Sequence, residues 1–266
     1  MKRKNNGTNS RPLLPMKEKA FIDIIILSYA KDESLKTLTL QTIETLLRSE
    51  DPEDVHFNVV VIESNKTLKP YQYENSATIY PDEKFGFHKY LNMGIKLTSN
   101  PYVCLCNNDL IFHKGWASEI LKAMRNDPVM LSAVPYCPNF HKKNGFNESA
   151  PPLEGYFGVL IGWCIFVKRE IFEIIGMLDE NLVFWYCDYD YSNTLEKHKV
   201  KNCLVPASVV THLGSESITK VGSKEHKRLT QIPRFYFSYK WHHHSFIRYK
   251  LETFLYKIKL LLSRLA

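Results

Sequence analysis

The sequence predicts an α/β fold built on a single, mostly parallel, doubly wound sheet flanked by helices. Three observations carry this expectation. Short runs of consecutive apolar and β-branched residues, "FIDIIILSY" first among them, mark strands buried on both faces. Segments with helically spaced apolar residues separate those runs, and strands alternating with helices build parallel sheets. The composition, 44% hydrophobic and 24% charged over 266 residues, supplies core for one large domain or two small ones.

The elements follow in order. Residues 1–19 are basic and polar, lack the apolar run of a signal peptide, and read as a disordered leader. "FIDIIILSY" is the first buried strand. "DESLKTLTLQTIETLLRSE" places Leu35, Leu38, Ile43, Leu46 and Leu47 at helical spacing. "FNVVVIES" is a second buried strand, "SATIYPDE" a weak one and "KYLNMGIKLTS" a helix. "PYVCLCNND" is a strand again, followed by a helix from Trp116 to Asn126 and a strand in "VMLSAVPYC". Further on, "YSNTLEKHK" is helical. The expected division is a leader (1–19), a catalytic-size domain (20–216) and a basic helical C-terminal extension (217–266).

Charge is unevenly spread. The 35 Lys and Arg against 28 Asp and Glu give +7. Residues 217–266 hold eleven Lys and Arg and two Glu, 11 − 2 = +9, so the first 216 residues carry 7 − 9 = −2. A slightly acidic main body argues against a nucleic-acid-binding surface there. The final segment, "SFIRYKLETFLYKIKLLLSRLA", is an amphipathic helix rich in Arg and Lys. It reads equally as a membrane-surface element, giving peripheral membrane contact through residues 245–266, or as a helix packed on the domain. No stretch approaches the roughly 18–20 apolar residues of a membrane span. The six cysteines are scattered without metal-ligand spacing, and Cys104 and Cys106 share a strand face as packing residues. A reduced, cytoplasmic setting is expected, at the membrane surface if the tail docks there. His242, His243 and His244 are consecutive, a spacing at which three rings do not converge on one ion.

In doubly wound sheets ligands bind at the carboxyl ends of strands. Three polar clusters fall there: Ser28–Asp32, Glu63-Ser64-Asn65 and Asn107-Asn108-Asp109. The first turn, "LSYAKDES", contains no glycine, which excludes the glycine-rich phosphate loops of dinucleotide and P-loop folds. A divalent cation on Asp109 is then the economical way to hold phosphates, since hard cations take oxygen ligands.

Six motifs, "IIILSYAKDESLKTLTLQTIETLL", "NVVVIESN", "FGFHKYLNMGIK", "YVCLCNNDL", "IGWCIFVKREIFEIIGMLDENLVFWYCDYDY" and "VVTHLGS", resemble in order and spacing the family 2 glycosyltransferases of GT-A fold. The branch they look most like holds rhamnosyl- and galactofuranosyl-type transferases. The resemblance covers about residues 21–216. It implies that Tyr29, Asp32 and Glu63 line the nucleotide pocket, with Glu63 standing where the family usually has Asp. It implies that Asp109 closes the metal motif, that Asn107 replaces its first acid with Asn108 between them, and that His212 is a second metal ligand. Gly162-Trp163-Cys164 matches the segment near donor sugar and acceptor, which places Trp163 in the donor site. Asp188 matches the catalytic base, although Cys187 replaces an acid that commonly precedes it.

The chemistry agrees with those residue types. Inverting transfer needs a base for the acceptor hydroxyl and a cation for the leaving diphosphate. At the start of a helix, Asp188 is expected to stay ionised through the helix dipole, and Asp190 to cap that helix. The implied function is a metal-dependent (Mn2+ or Mg2+) inverting transferase. It would move a sugar from a UDP- or dTDP-linked donor to a glycan or glycoconjugate hydroxyl, with Lys224, Lys227 or Arg228 closing over the phosphates. Two alternatives stay open: a non-catalytic nucleotide-sugar-binding module, with Asn107 and Cys187 marking a lost site, and a membrane-docking scaffold protein.

Overall fold

The computed structural model describes residues 19–214 and 223–262. The expected leader, apart from Lys19, lies outside the described residues, and so do the side chains of the proposed lid residues Lys224, Lys227 and Arg228. Strand β1 (Ala20–Ser28) sets the architecture. Ile22, Ile24, Ile25 and Ile26 are 0% exposed, so both faces of the strand are covered. Its alternate side chains feed two separate cores. Ile22, Ile24 and Ile26 pack with α1 (Glu33–Leu47) and α3 (Trp116–Asn126), whereas Ile25 and Leu27 pack with α2 (Phe87–Leu97) and α5 (Cys187–Lys197). Gly94 lets α2 lie directly on β1, because a Cβ there would collide with Ile25.

The remaining strands are β2 (Val55–Glu63), β3 (Ala77–Ile79), β4 (Tyr102–Asn107), β5 (Leu110–Phe112), β6 (Met130–Tyr136), β7 (Leu153–Glu154), β8 (Cys164–Lys168) and β9 (Lys201–His212). They form one sheet in the order β3-β2-β1-β4-β8-β6-β9-β5, with β7 added on β9. Strands β1 to β4 are mutually parallel and β6 is parallel to β9. Strand β8 runs antiparallel between β4 and β6, and β5 and β7 run antiparallel to β9. The sheet is thus mostly parallel, with reversed strands in its second half. The reversal at β8 places Cys164 opposite Cys106, and the Cys104 Sγ lies 3.3 Å from Cys106 Sγ and 3.7 Å from Cys164 Sγ. All three thiols are buried, so the packing pair expected from spacing is a packing trio.

Helix α1 buries Leu35, Ile43 and Leu46 of its expected apolar stripe, and two threonines beside them. Thr39 and Thr42 are 0% exposed while Leu47 is 37% exposed. The threonines win the inner face because their hydroxyls have polar partners at the end of β4, described below. A short α4 (Ile171–Ile175) follows β8, and the buried Asp23 at the opposite end of β1 is held by Arg169 at 2.6 Å and by Asn58 and Asn100. After β9 come α6 (Ser223–Trp241) and α7 (Phe246–Leu262). Phe237 of α6 is buried against Leu182 and Cys187 and stacks its ring near Tyr186, 5.1 Å between centroids.

Candidate active site

The turn after β4 is pinned through the backbone of Asn107 and through Asn108. The Asn107 N–H donates to the Trp163 carbonyl at 2.9 Å. Asn108 donates through Nδ2 to Thr39 Oγ1 at 2.9 Å, and its carbonyl accepts from Thr42 Oγ1 at 2.8 Å. Thr42 Oγ1 also accepts from the Leu110 N–H at 3.1 Å, which starts β5. Strand β5 then pairs with the end of β9 in the register Leu110 opposite His212. That pairing brings Asp109 beside His212, with Oδ2 3.1 Å from Nε2.

The Asp109–His212 contact is not an aligned hydrogen bond. Both His212 Nε2 and the second Asp109 oxygen, Oδ1, are buried without a hydrogen-bond partner. A buried carboxylate oxygen and a buried ring nitrogen without hydrogen-bond partners are costly unless something satisfies them. A carboxylate oxygen plus an imidazole nitrogen suits Mn2+ or another borderline divalent ion, so the residues fit the metal that the sequence implies. The His212 ring lies flat on Trp163, 5.3 Å between centroids at 7°, which fixes its plane.

Around this pair opens a cleft of about 300 Å3 at the carboxyl ends of β1, β2 and β4. Of the nine sequence-nominated residues, seven line it: Tyr29, Asn107, Asn108, Asp109, Trp163, Asp188 and His212. Asp32 and Glu63 do not. Asp32 caps α1, accepting from the Leu35 N–H at 3.0 Å. Glu63 is 0% exposed and its carboxylate accepts from the Ala30 N–H (3.2 Å), the Asn65 N–H (2.6 Å) and the Tyr73 hydroxyl (2.9 Å). The Glu63 carboxylate thus ties the first turn, at Ala30, to the end of the second strand.

Asp188 lines the same cleft as Asp109 and His212. Helix α5 starts at Cys187, four residues before the "YSNTLEKHK" segment expected to be helical, from a Tyr186 cap held at φ 71°. A bulky residue in that left-handed region is strained, and the Phe237 ring packed on Tyr186 holds it there. Asp188 Oδ1 accepts from the Tyr189 N–H at 2.9 Å. Gly162 approaches so closely that a Cβ on it would sit 3.0 Å from the Asp188 Cβ. Burial pushes the Asp188 carboxyl above the ordinary carboxylate range, and the Tyr189 N–H offsets this only in part. Desolvation in the half-closed cleft thus works against the helix N-terminus that is expected to keep Asp188 ionised.

Asp190 also differs from its expected role. It does not cap α5. It is buried, and its Oδ1 accepts from Trp241 Nε1 and pairs with Lys240 Nζ, both at 2.7 Å. Lys240 reaches Asp179 as well, at 2.8 Å. These contacts pin the end of α6 to the helix that carries Asp188. Sequence reasoning also missed the aromatic wall of the cleft, formed by Phe85, Phe87, Phe184, Trp185 and Tyr186. The run "FWY" immediately before Cys187 was the available signal.

Comparison with known proteins adds the following. A family model described as Glycosyl transferase family 2 matches residues 23–174. A comparison with curated proteins gives no match. Among solved structures the chain is similar to GalNAc-T7 with UDP, GalNAc and Mn2+ (TM-score 0.60, 14% identity, covering 88% of this chain and 54% of that one). It is similar to the catalytic domain of Drosophila beta1,4galactosyltransferase 7 in complex with xylobiose (TM-score 0.51, 11% identity, 77% and 75% covered). It is also similar to S. aureus TarS 1-349 in complex with UDP-GlcNAc (TM-score 0.54, 13% identity, 78% and 64% covered). At these identities the likeness is one of fold, and the chain spans about half the length of the first of these structures.

Proposed function

Because the chain belongs to glycosyl transferase family 2, whose model spans more than half of it, we propose that it transfers a sugar from a nucleotide-diphosphate donor, UDP- or dTDP-linked, to a hydroxyl of a glycan or glycoconjugate. The reading is of an inverting, metal-dependent enzyme of hexosyl or deoxyhexosyl transfer, nearest the rhamnosyl- and galactofuranosyl-type branch. The single observation that carries it is that one cleft is lined by both the buried Asp109–His212 pair and the desolvated Asp188 carboxylate. Tyr29 and Ser64, at the ends of the first two strands, line the part of the cleft assigned to the nucleoside. Asp109 and His212 would hold Mn2+ or Mg2+, which supplies charge to offset the leaving diphosphate.

Asp188 takes the proton of the acceptor hydroxyl. The acceptor oxygen forms its bond to the anomeric carbon as the bond from that carbon to the diphosphate oxygen breaks, from opposite faces, which inverts the anomeric configuration. A base with an elevated pKa is the stronger proton acceptor once ionised. The aromatic wall of Phe184, Trp185 and Tyr186 excludes water and offers flat apolar surface to a sugar ring.

A thermal-shift panel of UDP- and dTDP-sugars with and without Mn2+ tests this reading. A ligand that binds only the folded chain raises its midpoint by mass action. The expected outcome is a rise with a donor that depends on Mn2+, followed by donor turnover in the same sample. If no nucleotide sugar shifts the midpoint under either condition, the reading fails.

A further inference from the structure

The faces of α7 are distributed in an unusual way. The helix packs on α6 through aromatic and polar residues: Tyr249 lies against Tyr236 and Tyr239, Tyr256 lies against Phe235, and Thr253 is its buried position. At 3.6 residues per turn these three contact positions fall within about 60° of the helix circumference. The opposite side is apolar and points away from the protein. Ile247, Leu251, Phe254, Leu255, Leu261 and Leu262 are each at least 55% exposed, and they occupy a continuous arc of about 120°. Scattered exposed leucines need no explanation, but a contiguous stripe marks an interaction surface.

Charge says what covers it. Arg248 and Lys259 run along one edge of the apolar arc and Lys250 and Lys257 along the other, all on the solvent side of the helix. The helix carries one acid, Glu252, which is taken up by Arg248 at 2.8 Å. A second copy of this chain would bring cationic edges against cationic edges with no acids to match them. A bilayer with anionic headgroups matches both features at once, because Lys and Arg stems lie on apolar surface while their charged ends reach lipid phosphates. The helix has four cations within its 17 residues, and no helix among the described residues is long and apolar enough to cross a membrane.

We propose that α7 lies in the plane of an anionic lipid bilayer, with its outward apolar face in the headgroup–acyl boundary and its basic edges on lipid phosphates. The anchor is mechanically joined to the cleft. Lys240 and Trp241 at the end of α6 hold Asp190, and Phe237 packs on Tyr186 and Tyr189, so α5 and its Asp188 are fixed relative to the docked helix. This proposal stands independently of the transfer chemistry.

Flotation of the full chain with phosphatidylcholine vesicles, with and without phosphatidylglycerol, tests it. The chain floats with the anionic vesicles, and flotation falls as salt rises. Ile247→Gln, Leu251→Gln and Leu255→Gln combined weaken partitioning more than about 100-fold, since three exposed apolar side chains lose their insertion. Lys250→Gln, Lys257→Gln and Lys259→Gln weaken it about fivefold per lysine. Should the first variant unfold, the lysine variant and the lipid-composition series decide alone. Absence of wild-type flotation, equal flotation on both vesicle types, or flotation untouched by both variants would each overturn the proposal. A wild-type dimer in sedimentation velocity that the apolar variant converts to monomer, without vesicle binding, would assign the face to self-association and equally overturn it.

Discussion

Asp109 Oδ2 and His212 Nε2 stand 3.1 Å apart, although one residue sits in the turn before β5 and the other at the end of β9, more than a hundred positions apart in the chain. The antiparallel pairing of β5 with the last residues of β9 makes the contact, and the pairing of β5 in turn depends on Thr42 holding the turn before it.

Either Asp109→Asn or His212→Ala is expected to weaken Mn2+-dependent UDP binding by roughly tenfold or more, the scale at which metal sites respond to loss of a tuning group. Isothermal titration with and without Mn2+ measures it. An unchanged metal enhancement in both variants would show that the ion is held elsewhere.

Asp188→Asn should separate binding from transfer. Asparagine keeps the size and the oxygen that accepts the Tyr189 N–H, but cannot take a proton, so transfer should fall on the order of 100-fold or more with donor affinity retained. The stability effect has the opposite sign. Burial raises the folded-state pKa, so the ionised carboxylate costs stability above that pKa, and the cost vanishes as pH falls below the ordinary carboxylate value. The variant should therefore melt no lower than wild type at neutral pH, and higher if nothing else moves. In wild type the acid limb of kcat should lie above that of an exposed aspartate. A large drop in melting temperature together with lost donor binding would mark Asp188 as structural.

Asp190→Asn tests the anchor of α6. The change leaves Lys240 with Asp179 alone and weakens the acceptor for the Trp241 indole, at a cost of roughly 1–3 kcal/mol. Trp241→Phe should reproduce part of that loss. Asp179 adds a pH signature. Burial pushes its carboxyl up, but Lys240 and Tyr236 outweigh this and bring it down to about 2. Its stabilising contribution is thus complete above the ordinary carboxylate value and is lost as pH falls toward 2. Denaturant midpoints for both variants against pH give the comparison. Equal stability of Asp190→Asn and wild type would refute the anchoring role.

Gly162→Ala should act on Asp188 without changing it chemically. The added methyl would press on the Asp188 Cβ at 3.0 Å, so the carboxylate or the 161–163 loop must shift by a few tenths of an ångström. Misplacement on that scale lowers kcat more than it changes KM for the donor. A variant with unaltered kcat would show that the loop yields freely.

Much of this was legible in the sequence because it is local. Runs such as "DIIIL" can satisfy themselves only as strands with both faces covered, and Trp116–Asn126 is helical as its spacing predicts. The strand-end rule alone located Tyr29 and Asn107-Asn108-Asp109 in the cleft. The rest depends on contacts between distant residues, which no local period encodes. Whether Glu63 faces a ligand or Ala30, Asn65 and Tyr73 is decided by which donors the folded chain leaves nearby. Whether Asp190 caps its own helix or grips Trp241 depends on where α6 comes to rest. The amphipathic pattern of residues 246–262 was plain in the sequence, but a helix buries whichever side its neighbour can fill. Only the aromatic surface of α6 determines that Tyr249, Thr253 and Tyr256 face inward and the leucines outward.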